Sequence, residues 1–537
     1  PANTPLAIQP LDEEGRALAI MRSWMVGMPG ERMSCNGCHE DLRTHAPMKT
    51  TVASRIEPHK ITPWYGPARP FSYAAEIKPL VDKYCVGCHN EKAKAEKGRI
   101  SFEKNDPNNW RNDRSYLNLS AFVRRPGPES DLDIYDAMEW HVSTSPLIQM
   151  LKKGHHGVQL DAEAWDRLYT WIDFNAPHRG MWNNPEYEKR RLDLAVRYAG
   201  LTDNPEEEYR QTYASVTQRE PAQPIIPPQP GEVKPDGLKA TGFPMTAEQA
   251  RKLQGEGATM EIPVGDKLTM KLVRIPAGSF VMGCQSGYPD EAPRSVVRID
   301  KPFWMGVTEV TNRQYEAFDP EHDTRYQDET GKDHAVPGYI ANHPDQPVAR
   351  VSWQEAARFC QWLASKTGKK VALPTEAQWE WAARAGTDTQ FYYGTTDADF
   401  SKFANLADAE RRNLYVSWDG GSKIHKRRPY PADYLFPLRD DRFKDNWFVV
   451  DYVGQCQANA WGLQDIVGNA SEWTRSDYKA YPYQDGDGRN GGVPTRAKVA
   501  LGGSWDDRPK TAGSSIRFPF ESYQKVYNVG FRVIIGE

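Results

Sequence analysis

Residues 351–386 read VSWQEAARFCQWLASKTGKKVALPTEAQWEWAARAG and contain two helix-start patterns. Ser352 with Glu355, and Thr375 with Gln378, are capping boxes, in which both side chains bond backbone N–H groups of the first turn. The first predicted helix ends near Gly368 and buries one apolar stripe, formed by Ala356, Phe359, Cys360 and Leu363. The second predicted helix ends at Gly386.

The sequence from about residue 258 onward mixes helix signals with strand signals. Thr311 with Gln314 forms a third capping box, and short β-like runs rich in Trp and Gly separate the helices. Few helices, short strands and much irregular sequence predict an α+β domain. These signals predict a fold class, but they do not indicate a function.

Eight sequence motifs follow one another between about residues 270 and 534. They are Ile275-Pro276-Ala277-Gly278-Ser279-Phe280 with Met282-Gly283, Glu309-Val310-Thr311-Asn312, Val351-Ser352-Trp353, Leu373-Pro374-Thr375-Glu376 with Trp379-Glu380, Asn459-Ala460-Trp461-Gly462-Leu463, Gly468-Asn469-Ala470-Ser471-Glu472-Trp473, Gly502-Gly503-Ser504-Trp505, and Gly530-Phe531-Arg532. In this order they resemble the formylglycine-generating enzyme (sulfatase-modifying factor) family. The resemblance implies a fold related to C-type lectins for residues 258–537.

The family's activity is not expected here. Copper-dependent members carry two metal-binding cysteines after the Gly-Gly-Ser-aromatic motif, and the matching positions are Asp507 and Ala512. Soft thiolates select Cu(I), which an Asp and an Ala cannot replace. The other cysteines of this domain, Cys284, Cys360 and Cys456, do not restore the pair. Ser471 also stands where the family usually has a tryptophan, so we expect an altered substrate cleft.

The resemblance also implies structural calcium, which binds hard oxygen ligands. The second family site maps onto Asp465, Gly468, Ala470 and Glu472, of which the two middle residues offer backbone carbonyls. The first site maps onto Asn405 and Leu406 with Asp445 and Trp447, the last through its carbonyl. An insertion between 407 and 444 leaves Asp419 with Gly421 as a rival. The alternative is that these acids only cap turns.

A proline-rich stretch divides the chain. Positions 221, 224, 227, 228, 230 and 235 are all proline, a spacing that excludes helices and central strands and favours a semi-rigid spacer. We therefore predict an N-terminal domain over 1–200, a linker over 201–257, and the α+β domain over 258–537.

The N-terminal third contains two C-x-x-C-H motifs, Cys35-Asn36-Gly37-Cys38-His39 and Cys85-Val86-Gly87-Cys88-His89. Two thiols at this spacing form thioethers to haem, and the adjacent imidazole ligates the iron. A redox C-x-x-C or half of a zinc site is the alternative, but neither needs the trailing His. The sequence therefore predicts two covalently bound haem c groups, with His39 and His89 as proximal ligands, in a mostly α dihaem cytochrome c-like domain.

Candidate distal ligands come from the other histidines of this third. His155 and His156 precede an amphipathic helix opened by Asp161, and one of this pair is our first candidate; His141, His59 and His178 come next. Met33, Met48 or Met150 could supply a thioether instead, and an iron could also stay five-coordinate. The sequence does not choose among these.

Residues of about 8–182 resemble dihaem cytochrome segments of the planctomycete type. The likeness rests on both motifs, the helix leading to Cys85, and the flanking stretches Met21-Arg22-Ser23-Trp24, Trp64-Tyr65-Gly66-Pro67 and Trp171-Ile172-Asp173-Phe174-Asn175-Ala176-Pro177. A more distant likeness is to the alpha subunit of hydrazine synthase.

The amino-acid composition limits the classes of partner that this chain is expected to bind. The chain has 537 residues, 68 Lys and Arg against 72 Asp and Glu, and 39% hydrophobic residues, so no basic surface for nucleic acid is expected. No apolar run reaches the roughly 20 residues of a membrane span. Because covalent haem attachment takes place outside the cytoplasm and the chain starts at Pro1, we expect a processed, periplasmic or extracellular protein.

The leading hypothesis is an exported dihaem cytochrome that carries electrons to or from a redox partner protein. Its C-terminal domain would be a catalytically silent module that binds a glycan, a partner or a larger complex. One alternative is a redox enzyme with one open haem acting on a small molecule. Another is a non-haem metal in the C-terminal domain, where the histidines are His322, His334, His343 and His425.

Overall fold

The protein is described by a computed structural model. The described residues are 7–21, 25–27, 55–57, 64–65, 71–97, 99–107, 109, 112–124, 136–179, 222–227, 235–327, 338–410, 416–417, 426–427, 439–492 and 497–536. None of the helices in these ranges is long and apolar enough to cross a bilayer.

Nine α-helices lie in the described ranges. In chain order they are α1 Lys78–Tyr84, α2 Glu91–Lys97, α3 Arg114–Ser120, α4 Pro146–Lys153, α5 Ala162–Asp173, α6 Ala247–Gln254, α7 Asn312–Glu316, α8 Trp353–Thr367 and α9 Glu376–Arg384. A π-helical turn, Tyr73–Ile77, precedes α1, and short 3₁₀ turns cover Val142–Thr144, His155–Gly157, Pro289–Glu291 and Pro509–Thr511.

Within the described ranges, the strands all lie C-terminal to α6. They are β1 Thr259–Gly265, β2 Leu268–Ile275, β3 Gly278–Met282, β4 Ser295–Ile299, β5 Phe303–Gly306, β6 Tyr326–Gln327, β7 Tyr339–Ile340, β8 Val371–Ala372, β9 Val416–Ser417, β10 Lys426–Arg427, β11 Ser471–Asp477, β12 Lys498–Gly502, β13 Gly513–Phe520, β14 Val529–Gly530 and β15 Ile534–Gly536.

Two larger sheets organise this region. One has the order β1-β2-β5-β15-β8 with antiparallel neighbours, so the last strand of the chain pairs with β5 and β8. The other has the order β13-β12-β11-β14, in which β14 runs parallel to β11. Three two-stranded ribbons, β3–β4, β6–β7 and β9–β10, complete the described strands. The predicted α+β fold is confirmed.

The three predicted helix starts are confirmed. Thr311, Ser352 and Thr375 each accept the N3 backbone N–H while Gln314, Glu355 and Gln378 bond back to the N-cap. Helix α8 ends at Gly368 as predicted, and its stripe of Ala356, Phe359, Cys360 and Leu363 is buried. Helix α9 ends one residue earlier than predicted, because Ala385 itself adopts the left-handed conformation.

The chain forms two compact units. The first contains the described residues up to Ser120 and those of Leu160–Ile226. The second contains 121–124, 136–159 and everything described from Pro227 onward. The predicted boundaries at 200 and 257 stay predictions, but the structure groups 136–159 with the C-terminal unit. Helix α6 also lies inside the predicted linker, where Ala250 is fully buried and its carbonyl accepts the Trp461 indole N–H at 3.0 Å.

Helix α5 is the centre of the first unit. Asp161 caps it by accepting the Ala164 N–H at 2.8 Å, as the sequence predicts, and the Tyr84 hydroxyl of α1 donates to the same carboxylate at 2.7 Å. Leu168 and Ile172 are buried, and Arg167 makes a buried ion pair with Glu76. These contacts fix the position of α1, which leads directly into the second C-x-x-C-H motif.

Candidate functional site

Cys85, Cys88 and His89 lie on a tight turn that continues α1. The Cys85 N–H donates to the Val81 carbonyl at 2.9 Å, and the Cys85 carbonyl accepts the N–H groups of Cys88 at 3.1 Å and His89 at 2.9 Å. The motif is therefore coiled as one further helical turn, which is the local conformation that its spacing predicts. Neither thiol forms a disulfide within the described ranges.

His89 has a fixed ring orientation. Its Nδ1 lies 3.0 Å from the Ile100 carbonyl oxygen, and Phe102 packs against the ring at 5.2 Å between centroids. Because a carbonyl only accepts, Nδ1 carries the hydrogen and Nε2 carries the lone pair of the neutral imidazole. Metal-ligating histidines usually make such a bond from the nitrogen that does not bind metal.

Gly87 sits in the middle of this turn at a close backbone approach. A Cβ at this position would lie 2.9 Å from the Ile225 carbonyl oxygen and 3.2 Å from a side-chain carbon of Ile226. The Ile225 N–H in turn donates to the Lys83 carbonyl at 2.7 Å. A segment inside the proline-rich stretch thus packs on the turn, and the exposed side chains of Ile225 and Ile226 leave apolar surface beside it.

The donor set of this turn suits a covalently attached haem. Desolvation raises the pKa of the Cys85 thiol to about 12, so the group is a neutral thiol and not a reactive thiolate. Two cysteines, one oriented imidazole and neighbouring apolar side chains are what haem c attachment requires.

The other predicted haem residues have different outcomes. Cys35, Cys38 and His39, together with His59, Met33 and Met48, lie outside the described residues. His178 belongs to the unit of the second motif, but its Nε2 already bonds buried Asp113 at 3.0 Å. His141, Met150, His155 and His156 belong to the other unit. Distal ligation stays a prediction.

The two positions at which copper-dependent family members have metal-binding cysteines contain no thiolate ligand in this chain. Asp507 accepts the Ser504 N–H at 3.0 Å and its hydroxyl at 2.9 Å, and burial raises the pKa of this carboxyl. Ala512 is fully buried. The Asp507 carboxyl therefore serves a local turn, and neither position offers a thiolate.

A cavity of about 70 Å³ lies beside Asp507 and is closed by a segment outside the family motifs. Strand β13 contributes Ile516, Phe518 and Phe520, and strand β11 contributes Ser471. The neighbouring loops and turns add Tyr288, Asp506, Asp507, Arg508, Thr511, Tyr527 and Asn528. The remaining lining residues are Phe122, Thr144, Pro146, Gln149, Met150 and Lys153. Helix α4 and its flanks thus cover the region where we expected an altered cleft.

Specific contacts fix this covering segment. Glu139 makes a buried ion pair with Arg350, and the Gln524 amide donates to the Met138 carbonyl at 3.1 Å. The Arg124 guanidinium lies over the Tyr527 ring at 3.8 Å from its centroid. Gly154 ends α4 in the left-handed conformation, with only 3.1 Å between its would-be Cβ and Pro289. The segment is an integral part of the C-terminal unit.

The second predicted calcium site lies in a buried acidic region. Glu472 accepts from Arg532 at 2.6–2.8 Å and from the Trp379 indole at 2.7 Å, while Asp465 accepts the N–H groups of Gly454 and Cys456. Glu309, which the sequence analysis missed, lies nearby with an Oε2 that has no hydrogen-bond donor. Burial raises the pKa of all three carboxyls. Three carboxyls against one arginine are an excess of acidic groups, which either protons or a bound cation could neutralise.

The residues of the first predicted calcium site also lie close together. The Leu406 N–H donates to Asp445 at 2.8 Å, and Asn405, Asp445 and Trp447 line one cavity of about 270 Å³. Burial and nearby Asp408 raise the pKa of Asp445 to about 8. The rival pair, Asp419 with Gly421, lies outside the described residues. Both calcium assignments stay predictions.

In the described ranges, no three His, Cys, Asp or Glu side chains converge as ligands on one point. Of the histidines considered for a non-haem metal, His322 bonds the Ala349 carbonyl at 3.0 Å and His343 packs on Tyr452. His334 and His425 are not among the residues that the structure describes.

Comparison with known proteins agrees with this fold. Residues 261–536, just over half of the chain, match the sulfatase-modifying factor enzyme 1-like domain. The chain belongs to this family. Residues 1–40 match the middle domain of the hydrazine synthase alpha subunit, which agrees with the distant likeness noted from the sequence.

Individual relatives cover the same domain. Inactive C-alpha-formylglycine-generating enzyme 2 of Bos taurus is 29% identical over 259 residues, which are 41% of this chain and 75% of that protein. The formylglycine-generating enzyme of Mycobacterium tuberculosis is 27% identical over 259 residues, which are 40% of this chain and 75% of that protein. The structure of PvdO from Pseudomonas aeruginosa is 21% identical and covers 53% of this chain and 100% of its own, with a TM-score of 0.38.

Three residues escaped the sequence analysis. Glu309 was visible inside the quoted motif Glu309-Val310-Thr311-Asn312, but its charge was not considered. Lys153 and Arg508 lie in no motif or pattern that would have pointed to a site. They are 355 positions apart and come to one cavity only through the packing of α4.

Proposed function

We propose that this chain is an exported c-type cytochrome that carries two covalent haem groups and transfers electrons to or from a redox partner protein. Its formylglycine-generating-enzyme-like domain serves binding or assembly and makes no formylglycine. Cys35, Cys38 and His39 would hold one haem, and Cys85, Cys88 and His89 the other. Calcium would bind in the C-terminal domain, and the protein would act in the periplasm or outside the cell.

One observation carries the haem proposal. The His89 ring donates from Nδ1 to the Ile100 carbonyl at 3.0 Å, directly after a helical Cys85–Cys88 turn. This bond orients Nε2 as the ligand atom and raises its basicity, as outer-shell partners of metal-bound histidines do. When bound, haem c supplies one-electron chemistry, and this chain's residues attach it, orient its ligand and shield it from water.

Two structural observations and one relative support a catalytically silent role for the C-terminal domain. Asp507 and Ala512 occupy the positions of the copper-binding cysteines, and Asp507 is engaged by Ser504. Helix α4 covers the adjacent region and leaves a cavity of only about 70 Å³, too small for a peptide. One relative is itself named an inactive member of the family. Ligands of the domain, such as a glycan or a subunit, would therefore bind elsewhere on it.

A second candidate function is a redox enzyme with one five-coordinate haem that acts on a small molecule. The match of residues 1–40 to the hydrazine synthase alpha subunit favours it. In that case one iron would keep an open position, whereas an electron carrier would have two protein ligands on each iron.

The test is the haem content of the intact chain, exported from a host with haem-attachment machinery. We expect two haems by pyridine haemochrome assay and intact mass. The double variant Cys85→Ser/Cys88→Ser should retain one, and the control Cys284→Ser/Cys456→Ser should retain two. An intact chain without covalent haem would overturn the proposal.

The spin state of the haem irons distinguishes the electron carrier from the redox enzyme. Low-temperature EPR of the oxidised protein should show two low-spin haems that do not respond to cyanide or nitric oxide. One high-spin haem that binds either ligand would replace the electron-carrier proposal with the enzyme.

A further inference from the structure

Two cationic side chains, Lys153 and Arg508, line the small cavity under α4. Lys153 is 6% exposed, and its Nζ lies 4.4 Å from the Phe518 ring centroid and 5.1 Å from that of Tyr288. Lys153 makes no hydrogen bond or ion pair within the described ranges, although Asp290, Glu291 and Asp507 are close enough to oppose the desolvation that lowers its pKa. The Arg508 Nε is likewise buried without an acceptor. Two cations thus reach one cavity, and neither makes an ion pair at contact distance within the described ranges.

The two lining carboxylates, Asp506 and Asp507, each accept hydrogen bonds from other groups. Asp506 accepts the Tyr527 hydroxyl, and Asp507 accepts the Ser504 N–H and hydroxyl. A buried cation without an acceptor costs free energy, because it has lost its hydration. Asp290, whose Oδ1 is buried without a donor, acts on Lys153 from a distance but makes no ion pair with it, so the two lining cations can accept an anionic ligand.

The rest of the lining is partly apolar, and it also contains the uncharged polar residues Thr144, Gln149, Ser471, Thr511 and Asn528. Phe122, Met150, Ile516 and Phe518 face the same space. A single water needs roughly 10–15 Å³ on the same measure, so a cavity of about 70 Å³ has room for a ligand of a few heavy atoms. The ligand should therefore combine one small anionic group with a short apolar part.

We propose that this cavity binds a small organic monocarboxylate, whose carboxylate lies between Lys153 and Arg508 and whose apolar end packs on Ile516 and Phe518. The site is composite, because Lys153 comes from α4 and Arg508 from the loop after the Gly502-Gly503-Ser504-Trp505 motif. It does not depend on haem attachment.

The electrostatics of the surroundings support this assignment. Desolvation lowers the pKa of Lys153 against the opposing effect of Asp290, Glu291 and Asp507. Glu291 has its own donors, the Tyr288 N–H at 2.7 Å and the Ser515 hydroxyl at 2.6 Å, and burial raises its pKa to about 7. Burial also lowers the pKa of Arg508. A bound carboxylate would stabilise both cations.

The test is titration of the intact, haem-loaded protein with propionate by isothermal titration calorimetry. We expect one saturable site. Lys153→Met and Arg508→Gln should each weaken binding by about tenfold or more, because each removes a charged hydrogen bond. The matched controls, Lys152→Met and Lys510→Met, change exposed neighbours in the same two segments and should bind as the wild type does.

Thermal unfolding with and without propionate provides a second readout. The wild type and both controls should gain stability from propionate, and Lys153→Met should gain none. Haem content is measured on the same samples, so loss of haem and loss of propionate binding are distinguished.

Three results would overturn the proposal: no saturable binding to the wild type, unchanged affinity in Lys153→Met, or inorganic phosphate binding as tightly as propionate. The last would mean that the apolar half of the cavity contributes nothing to ligand choice.

Discussion

Arg350 and Glu139 form a buried ion pair between residues 211 positions apart. Glu139 is 2% exposed, and Arg350 also donates to the carbonyls of Thr324 at 3.0 Å and Tyr326 at 3.1 Å. The pair joins the covering segment to the C-terminal unit at a point where water is excluded. Breaking such a pair leaves a charge buried without its partner.

The first prediction concerns this pair. Glu139→Gln should destabilise the C-terminal unit by about 3 kcal/mol, since Arg350 keeps its charge and loses its counterion. Denaturant unfolding followed by tryptophan fluorescence measures the change. The control is Asp136→Asn, whose more exposed carboxylate lies 3.7 Å from Arg325 and should cost less than about 1 kcal/mol. Equal effects of the two variants would show that 136–159 is not an integral part of the unit.

The second prediction concerns the turn that carries the second C-x-x-C-H motif. Gly87→Val should destabilise the first unit by about 1–3 kcal/mol, because its Cβ would approach the Ile225 carbonyl oxygen at 2.9 Å. Unfolding of the haem-loaded protein followed by haem absorbance measures this loss. Gly486→Val is the matched control, since no atom lies within 4 Å of its would-be Cβ. If both variants unfold alike, segment 222–227 does not pack on the turn.

The third prediction is a pH dependence from Asp173. Burial raises its pKa to about 7, whereas the unfolded chain should have a value near 3.8. Between these values the folded state holds a proton that the unfolded state has released, so stability falls as pH rises from about 4 to about 7. Asp173→Asn should remove this slope in unfolding measurements across that range.

The control for that pH dependence is Asp161→Asn. Bonds from Tyr84, Ala164 and Lys83 lower the pKa of Asp161 to about 2, so its contribution has the opposite sign and is lost only as pH falls below about 4. An unchanged slope between pH 4 and 7 in Asp173→Asn would contradict the assignment to that buried carboxyl.

The fourth prediction concerns calcium and the buried acids around Arg532. Glu309→Gln removes one of three carboxylates that share one arginine, so it should raise the melting temperature in the presence of a chelator and reduce the further rise on adding calcium. Differential scanning calorimetry measures both changes. The control Glu261→Gln alters an exposed carboxylate of β1 and should leave both unchanged. A wild type that gains nothing from calcium would remove the calcium proposal.

Local sequence was sufficient for the features that depend on neighbouring residues. The capping boxes at Thr311, Ser352 and Thr375, the buried stripe of α8 and the helix opened by Asp161 are all present as predicted. Each depends on residues three or four positions apart, which face one another in any helix. The ordered motifs likewise indicated the family that the comparison then confirmed.

The sequence by itself determined the fold class of residues 261–536, the family and the position of the C-x-x-C-H motifs, because these follow from local spacing and motif order. Only the tertiary structure decided that residues 136–159 belong with the C-terminal unit and that Lys153 and Arg508 line one cavity. That placement depends on long-range packing, in which buried pairs such as Glu139 with Arg350 fix a segment against residues far away in the sequence. No local pattern records such a pairing, because its free energy arises only when both partners are removed from water together.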